Sequence, residues 1–562
     1  FNESQLFEIF NKGYEFVRLR YEMPNFVQVE RQGYFERGKR MHLALTDTGG
    51  ETKYVEEQAL ALAKMGFCVT VVNQGGVEHP HHHDVREGLH YKADFVDVLF
   101  VNDGNEFVKK ENTMPVYDFN TLDENNRPPV LLDGVYTKLA QQVALAMDER
   151  PVKHVLGHYI CGAMVGYEFY KLREGTDQEI PTLPGFLIHS LGAVKLRRVI
   201  EAKEPLSQIA TYNLERRIET EKRLIQSGEV FLYPVSKELH RSVEEHYGAM
   251  TDGFFPAAVD PRQFYPRGAD IGKNHKRYNN LYIELALDKL QITGRFDTFV
   301  SRLDLEPDMK EALKTASRGD SWIATLKESY GIEVKDIRNA LSQEIEELQR
   351  SFIVTETSRT VPTKGKDGVI KSFAHALKKS GRKDMQLVIN IADFDKDSSA
   401  AESSHIEKLH QLVAELKLEE NIIFRPSFDN SDVALIDQIA EVFLSDASME
   451  TWGMSVQQAA ACRSFLICSD KIPFATEEAG GEERQVIEVE LSLKDDKTVK
   501  TSYEMTQGCV IFPQGDSIAA GEALYQVVTQ SGNEEFIDRI ESMKDYARTQ
   551  GVRLWDDDAK SI

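Results

Sequence analysis

The chain has 562 residues, with 67 Lys+Arg against 91 Asp+Glu and a formal charge of −24. That length sets an expectation of two or three domains, and the acidity argues against a nucleic-acid wrapper or an anionic-membrane binder, which need basic surface. An apolar fraction of 41% is enough for large cores, and no run of about 18 apolar residues offers a membrane-spanning helix.

Residues 1–40 are mixed and charged, and read as an N-terminal extension of one or two helices. The opening, FNESQLFEIFNKGYEF, lacks the basic and apolar blocks of a signal peptide. The cysteines Cys68, Cys161, Cys462, Cys468 and Cys509 follow no metal-ligand or disulfide spacing, so reduced thiols in a cytoplasm are expected. MHLALT (41–46) reads as a buried strand. Val55, Ala59 and Leu62 then fall on one helical stripe, which Gly66 ends. Phe67–Val72 is the next strand, and the resulting βαβ unit predicts a parallel sheet.

The alternation returns after residue 350. Strands are predicted at 351–355, 386–391, 422–424, 442–444 and 465–468, with helices at 368–379, 404–417, 433–440 and 454–462. The fold class expected is α/β, with two doubly wound Rossmann-like domains facing a cleft, where open sheets hold ligands beyond their strand C-termini. Residues 268–350 are charged and helical in pattern, with Ile337, Leu341, Ile345 and Leu348 on one face. They read as an inserted helical subdomain. The last helix, with Phe536, Ile537, Ile540 and Met543, is expected to pack across the domain junction. The boundaries are 1–40, 41–267, 268–350, 351–530 and 531–562.

Several short motifs carry chemistry. Asp47-Thr-Gly-Gly50 lies at a strand-to-helix turn, where glycines let a ligand approach backbone N–H groups. Taken alone, the glycines are better explained by a plain tight turn. HPHHHD (79–84) invites a metal, but consecutive histidines rarely converge on one ion, so a surface loop is expected and no metal site. His189, between a strand and a helix, could hydrogen-bond a sugar hydroxyl without fixed charge or be a satisfied core histidine. Arg359 and Lys364 could stabilise an anionic leaving group or be a solvated basic loop.

The strings together are more specific. DTGGETKYVEEQALALAKMG (47–66) resembles the opening loop and helix of the sucrose-phosphate synthase and sucrose synthase family. Further strings follow in family order: GHY (157–159), HSLGAVK (189–195), RRIETE (216–221), PAAVDPRQFYP (256–266), SRTVPTKG (358–365), NSDV (430–433) and METWGM (449–454). The resemblance covers about 41–266 and 351–530. It implies a retaining glycosyltransferase of family four with the GT-B architecture.

That resemblance implies roles. Arg359 and Lys364 would hold the donor diphosphate, and Glu450 and His189 the donor sugar. Gly50 would also face the donor, with backbone groups of Trp452, Gly453 and Met454 near the diphosphate. Gln458 stands where the family has a second carboxylate on the ribose, and an amide accepts more weakly there. Cys161, Glu51, Ala258, Arg463 and Phe465 also depart from the family strings.

The acceptor is expected against Gly49, Glu51, His158 and Tyr159. Lys110 (with Lys109), Arg216 and Arg217 would bind an acceptor phosphate. RRIETE reads equally as a solvated helix with an i,i+4 pair, Arg217–Glu221. The activity implied is transfer of a hexose, glucose first, from a nucleoside diphosphate sugar, UDP-glucose first, to a sugar or sugar phosphate. No resident cofactor, nucleic acid or membrane span is expected. Sucrose-phosphate synthesis leads, ahead of sucrose synthase or mannosylfructose-phosphate synthase chemistry. A non-catalytic binding or regulatory protein on a degenerate GT-B scaffold is the alternative class.

Overall fold

A computed structural model describes residues 23–29, 50–74, 88–93, 95–101, 135–148, 150–201, 214–268, 271–315, 321–391, 400–425, 430–492, 498–530 and 532–555. These divide into two compact units. The first holds the described residues up to 258 and those from Arg553 onward, and the second spans Val259–Val552.

The first unit is built on β1 (Asn25–Val29), α1 (Gly50–Lys64), β2 (Cys68–Gln74), β3 (Gly88–Ala93) and β4 (Val96–Val101). It continues with α2 (Val135–Ala146), β5 (Val152–His158), α3 (Tyr159–Arg173), β6 (Gly185–Ile188) and α4 (Gly192–Glu201). α5 (Leu214–Gln226), β7 (Phe231–Pro234) and α6 (Lys237–Tyr247) complete it. The seven strands run in the order β3-β4-β2-β1-β5-β6-β7, parallel throughout except for β3, which is antiparallel to β4. The chain moves outward from β1 to β2 and β4, then resumes at β5 on the other side of β1. The strand order therefore reverses between β1 and β5, the place where such sheets bind ligands.

Two sequence expectations change here. The central strand is Asn25–Val29, inside the stretch expected to be helical, while MHLALT lies outside the described residues. β1 is wholly buried although it carries Asn25 and Gln28. The Gln28 amide nitrogen donates to Gln58 of α1, which meets part of the hydrogen-bonding need of a polar residue in a central strand. The helix after it forms as expected, with Val55, Ala59 and Leu62 buried.

The second unit opens with α7 (Ile271–Ile292), α8 (Phe296–Arg302), α9 (Pro307–Lys314), α10 (Trp322–Tyr330), α11 (Val334–Ala340) and α12 (Ser342–Arg350). β8 (Phe352–Glu356), α13 (Lys366–Ser380), β9 (Met385–Asn390), α14 (Ala400–Leu416), β10 (Ile422–Arg425), α15 (Asn430–Ile439), β11 (Val442–Ser445), α16 (Met454–Ala461) and β12 (Phe465–Ser469) follow. The unit ends with β13 (Arg484–Ser492), β14 (Thr498–Thr506), β15 (Cys509–Phe512), α17 (Ser517–Thr529) and α18 (Glu534–Tyr546). The sheet order is β10-β9-β8-β11-β12-β15-β14-β13, and it reverses between β8 and β11. Six strands are parallel; β14 and β13 add an antiparallel hairpin at one edge. The sequence reading passed over that hairpin.

Residues 268–350 are helical, but they do not make a separate subdomain. Leu281, Leu285, Ile337, Ile345 and Leu348 share one apolar cluster with Ile353, Val388 and Ile423 of the sheet. Val354, Leu387, Ile389, Ile422 and Phe424 point into a second cluster with α13, α14 and α17. The period of two thus sends alternate residues of each strand to different helical layers, which is why these strands are apolar throughout. In α18, Ile540 and Met543 enter the core of the second unit, and Ile537 is exposed. All five cysteines are buried free thiols. Among the described residues no helix is long and apolar enough to cross a membrane.

Candidate functional site

In the first unit, the ends of β5 and β6 bring two predicted residues together. His158 closes β5, and His189 follows the last residue of β6. His158 Nδ1 and His189 Nε2 are 3.0 Å apart, with the rings stacked at 5.3 Å. Tyr159 stacks on His189 at 5.0 Å, and its φ of 55° places a non-glycine residue in the left-handed region, a strain that the packed ends of β5 and α3 must hold. Tyr54 of α1 stands edge-on to His189 at 5.0 Å. Trp555 meets Tyr54 at 4.9 Å. Tyr54 and Trp555 were not singled out from sequence, although Tyr54 lies within the DTGG string.

Burial, then the neighbouring His189, holds the His158 imidazole well below its usual 6.5. His158 is therefore neutral at pH 7. The consequence for stability has a definite sign. A folded-state pKa below the unfolded one gives stability that is complete above pH 6.5 and is lost as pH falls below it. Thermal melts should be flat from pH 8 to 7 and decline below 6.5. His158→Asn should lower that slope by up to one proton, about 1.4 kcal/mol per pH unit. Parallel pH profiles for the two proteins would refute the assignment.

Arg217 behaves differently from its expected role. Its side chain is 2% exposed and its Nε donates to Glu221 at 2.7 Å. Its other nitrogen donates to the Ser190 carbonyl at 2.8 Å and to Ser190 Oγ at 2.9 Å. Glu221, fully buried, also accepts from the Gly192 N–H at 2.9 Å and from the Tyr247 hydroxyl. The i,i+4 pair therefore forms, but in the interior, where it ties α5 to the residues directly after His189. Arg217 is committed to this network rather than presented to an acceptor phosphate. Arg216, beside it, is half-buried. Gly50 opens α1; Gly49, the side chain of Glu51, Lys110 and the histidine run at 79–84 lie outside the described residues.

In the second unit the chemistry collects where β8 and β11 end. From 352 to 360 every residue is buried except Arg359, which is exposed. Lys364 pairs with Glu450, each side chain 14% exposed, so two residues expected on neighbouring parts of a donor are in direct contact. Trp452 is buried, its indole donating to Gln457 Oε1 at 2.9 Å. What it can offer a ligand is backbone, as expected of 452–454. Gly453, at φ 107°, takes the turn before Met454 opens α16, a conformation that disfavours side chains. Gln458 lies on α16, 8% exposed.

Asp446, directly after β11, was not singled out from sequence. Burial raises its carboxyl to about 7, opposed by a hydrogen bond from the Gly515 N–H at 2.8 Å. Among the described residues no group of three or more His, Cys, Asp or Glu could hold a metal ion.

Two doubly wound α/β units on largely parallel sheets define the GT-B fold class. Residues 338–492, within the second unit, match the family model for glycosyl transferases group 1. Solved structures agree in fold. A sucrose-phosphate synthase from Thermosynechococcus elongatus superposes with a TM-score of 0.56 at 13% identity, covering 96% of this chain and 97% of that one. An E. coli structure described as trehalose-6-phosphate bound with UDP-2-fluoro glucose gives 0.52 at 11% identity, over 96% and 97%. An α,α-trehalose-phosphate synthase (UDP-forming) from Burkholderia vietnamiensis gives 0.52 at 13%, over 96% and 99%. At these identities the likeness is one of fold. No curated protein matches the chain in sequence.

Proposed function

We propose that the protein transfers a hexose, glucose first, from a nucleoside diphosphate sugar to a small sugar or sugar-phosphate acceptor, with retention at the anomeric carbon. The observation that carries this reading is the end of the second sheet. Arg359 is the exposed member of a buried run, and Lys364 touches Glu450, within the segment that matches glycosyl transferases group 1. A fork and a point charge there suit a diphosphate.

The step breaks the bond from the anomeric carbon to the diphosphate oxygen and forms one to the acceptor oxygen. The acceptor attacks on the face from which the diphosphate departs, so retention needs no enzyme nucleophile, and its hydroxyl proton passes to the departing phosphate, so no enzyme base is needed. This differs from retaining glycosidases, where a carboxylate forms a covalent intermediate. Cations that strengthen their hold as charge grows on the leaving group accelerate the step. His158, wholly buried, would hold the His189 ring in place, and His189 would orient a sugar hydroxyl. UDP-glucose is the first donor to try, a choice supported by the UDP compounds named for the fold relatives.

The acceptor is less narrowly drawn. With Arg217 held internally, a phosphorylated acceptor rests on Arg216 and Lys110, and sucrose-phosphate chemistry leads only by the family strings. The test is a matrix of UDP-, ADP- and GDP-glucose against fructose, fructose 6-phosphate and glucose 6-phosphate, read by nucleotide release and product anomer. One donor with one acceptor, giving an α-linked product, is expected. Absence of release with every donor would overturn the reading.

A further inference from the structure

Of the buried ion pairs that the proposed transfer does not use, one lies beside the loop of Arg359 and Lys364. Glu356 is the last residue of β8 and Lys366 the first of α13, and both side chains are wholly inaccessible to solvent. Lys366 Nζ pairs with the Glu356 carboxylate and also donates to the Ser358 carbonyl at 2.9 Å. Glu356 Oε1 accepts from the Ser358 N–H at 3.1 Å. One ion pair thus grips both backbone polar groups of the residue before Arg359. It also joins the two ends of the loop that carries Arg359 and Lys364.

The neighbouring bonds serve the same loop. Asn390 donates to the Thr357 and Ser358 carbonyls at 3.4 and 3.3 Å. Thr357 donates to Asp437 Oδ1 at 3.3 Å, and the Ser448 N–H to the Thr363 carbonyl at 2.9 Å. Gly365 separates the two lysines at φ 65°, and a Cβ there would lie 2.0 Å from the Asp446 carbonyl oxygen. The tight turn sends Lys364 to Glu450 and Lys366 inward to Glu356.

Burial lowers the Lys366 ammonium below its usual range, against the pull of Glu356. Buried pairs of this kind seldom stabilise a fold better than apolar residues of the same volume. An apolar pair would fill the space as well, but it could not bond both sides of Ser358. The pair's distinguishing capacity is to fix that backbone.

We infer that Glu356 and Lys366 are positioning residues, a buckle that fixes loop 357–365 so that Arg359 and Lys364 meet the diphosphate of a nucleoside diphosphate sugar. The diphosphate part of this inference rests on the donor reading above; the buckle does not.

Lys366→Met alone would strand a buried carboxylate and is expected to misfold. The informative proteins are the double variant Glu356→Gln/Lys366→Met, which removes both charges, and the milder Glu356→Asp, which keeps both charges and draws the carboxylate back from Lys366. Two readouts are needed. Amide exchange over 357–366 should speed up about tenfold in the double variant and about threefold in Glu356→Asp, with the rest of β8 and α13 unchanged. The dissociation constant for UDP-glucose should rise about tenfold, with that for the acceptor unmoved. Wild-type exchange in the loop of the folded variants overturns the buckle. Faster exchange with unchanged UDP-glucose affinity overturns its link to the donor. If the wild-type protein binds no nucleoside diphosphate sugar, the donor reading fails, and the exchange measurement still decides the buckle.

Discussion

Replacing Arg217 with Met should destabilise the first unit by about 3–5 kcal/mol, the usual cost of breaking a buried pair by removing one partner. Glu221 would keep only the Gly192 and Tyr247 bonds, and the Ser190 carbonyl would lose its donor. At about 2–4 °C per kcal/mol for a unit of this size, the first transition should fall by roughly 10 °C. The Ser190 contact makes a second effect specific: the residue after His189 loses its anchor, so the histidine pair should loosen as well. Arg217→Lys keeps the charge but not the fork, and should recover only part of the stability. A direct phosphate role makes the opposite prediction, a raised acceptor KM with an unchanged melting temperature. Denaturation and acceptor kinetics on the two variants separate them.

The largest effect on activity should come from Arg359→Ala/Lys364→Ala. Removing one preorganised donor from a developing anion costs on the order of 10²–10³ in rate, and the two charges act on one leaving group. Turnover should therefore drop by at least about a thousandfold. Stability should change little, since Arg359 is exposed and Lys364 meets Glu450 in a partly solvated pair. Undiminished turnover would falsify the assignment of leaving-group stabilisation to this loop. Glu450→Gln is the companion measurement. It leaves Lys364 without its carboxylate partner, so it should tighten binding of a nucleoside diphosphate while slowing transfer.

The second sheet was legible because its strands are buried on both faces and read as short apolar runs between helical stripes. The strands observed at 352–356, 385–390, 422–425, 442–445 and 465–469 lie within a residue or two of those expected. β1 was not legible. Asn25 and Gln28 interrupt its apolar character, and the acceptor for the Gln28 amide N–H is Gln58, thirty residues away in another element. Residues 268–350 revealed their helices but not their partner, since a stripe says which side is covered and not by what.

The site divides in the same way. His158, His189, Arg359, Lys364 and Glu450 fall at strand ends, where a doubly wound sheet collects ligands, and the motifs marked them. Arg217 and Lys366 are cations in a charged context, and sequence spacing cannot separate a basic group facing water from one buried against a carboxylate. Tyr54 and Trp555 are far apart in the chain, and only folding makes them neighbours.

The two-sided packing of the second sheet bears on how the protein can be dissected. A fragment trimmed to the matched segment, 338–492, would lose α7 to α10 and most of the apolar cover on one side. It would also lose β15 and β14, which lie between β12 and β13, leaving β13 as a strand with no neighbour. Such a piece should aggregate when expressed. Cutting near Val259 and ending near Val552 keeps both layers and both edges of that sheet, and gives a stretch in which the second unit could be studied alone.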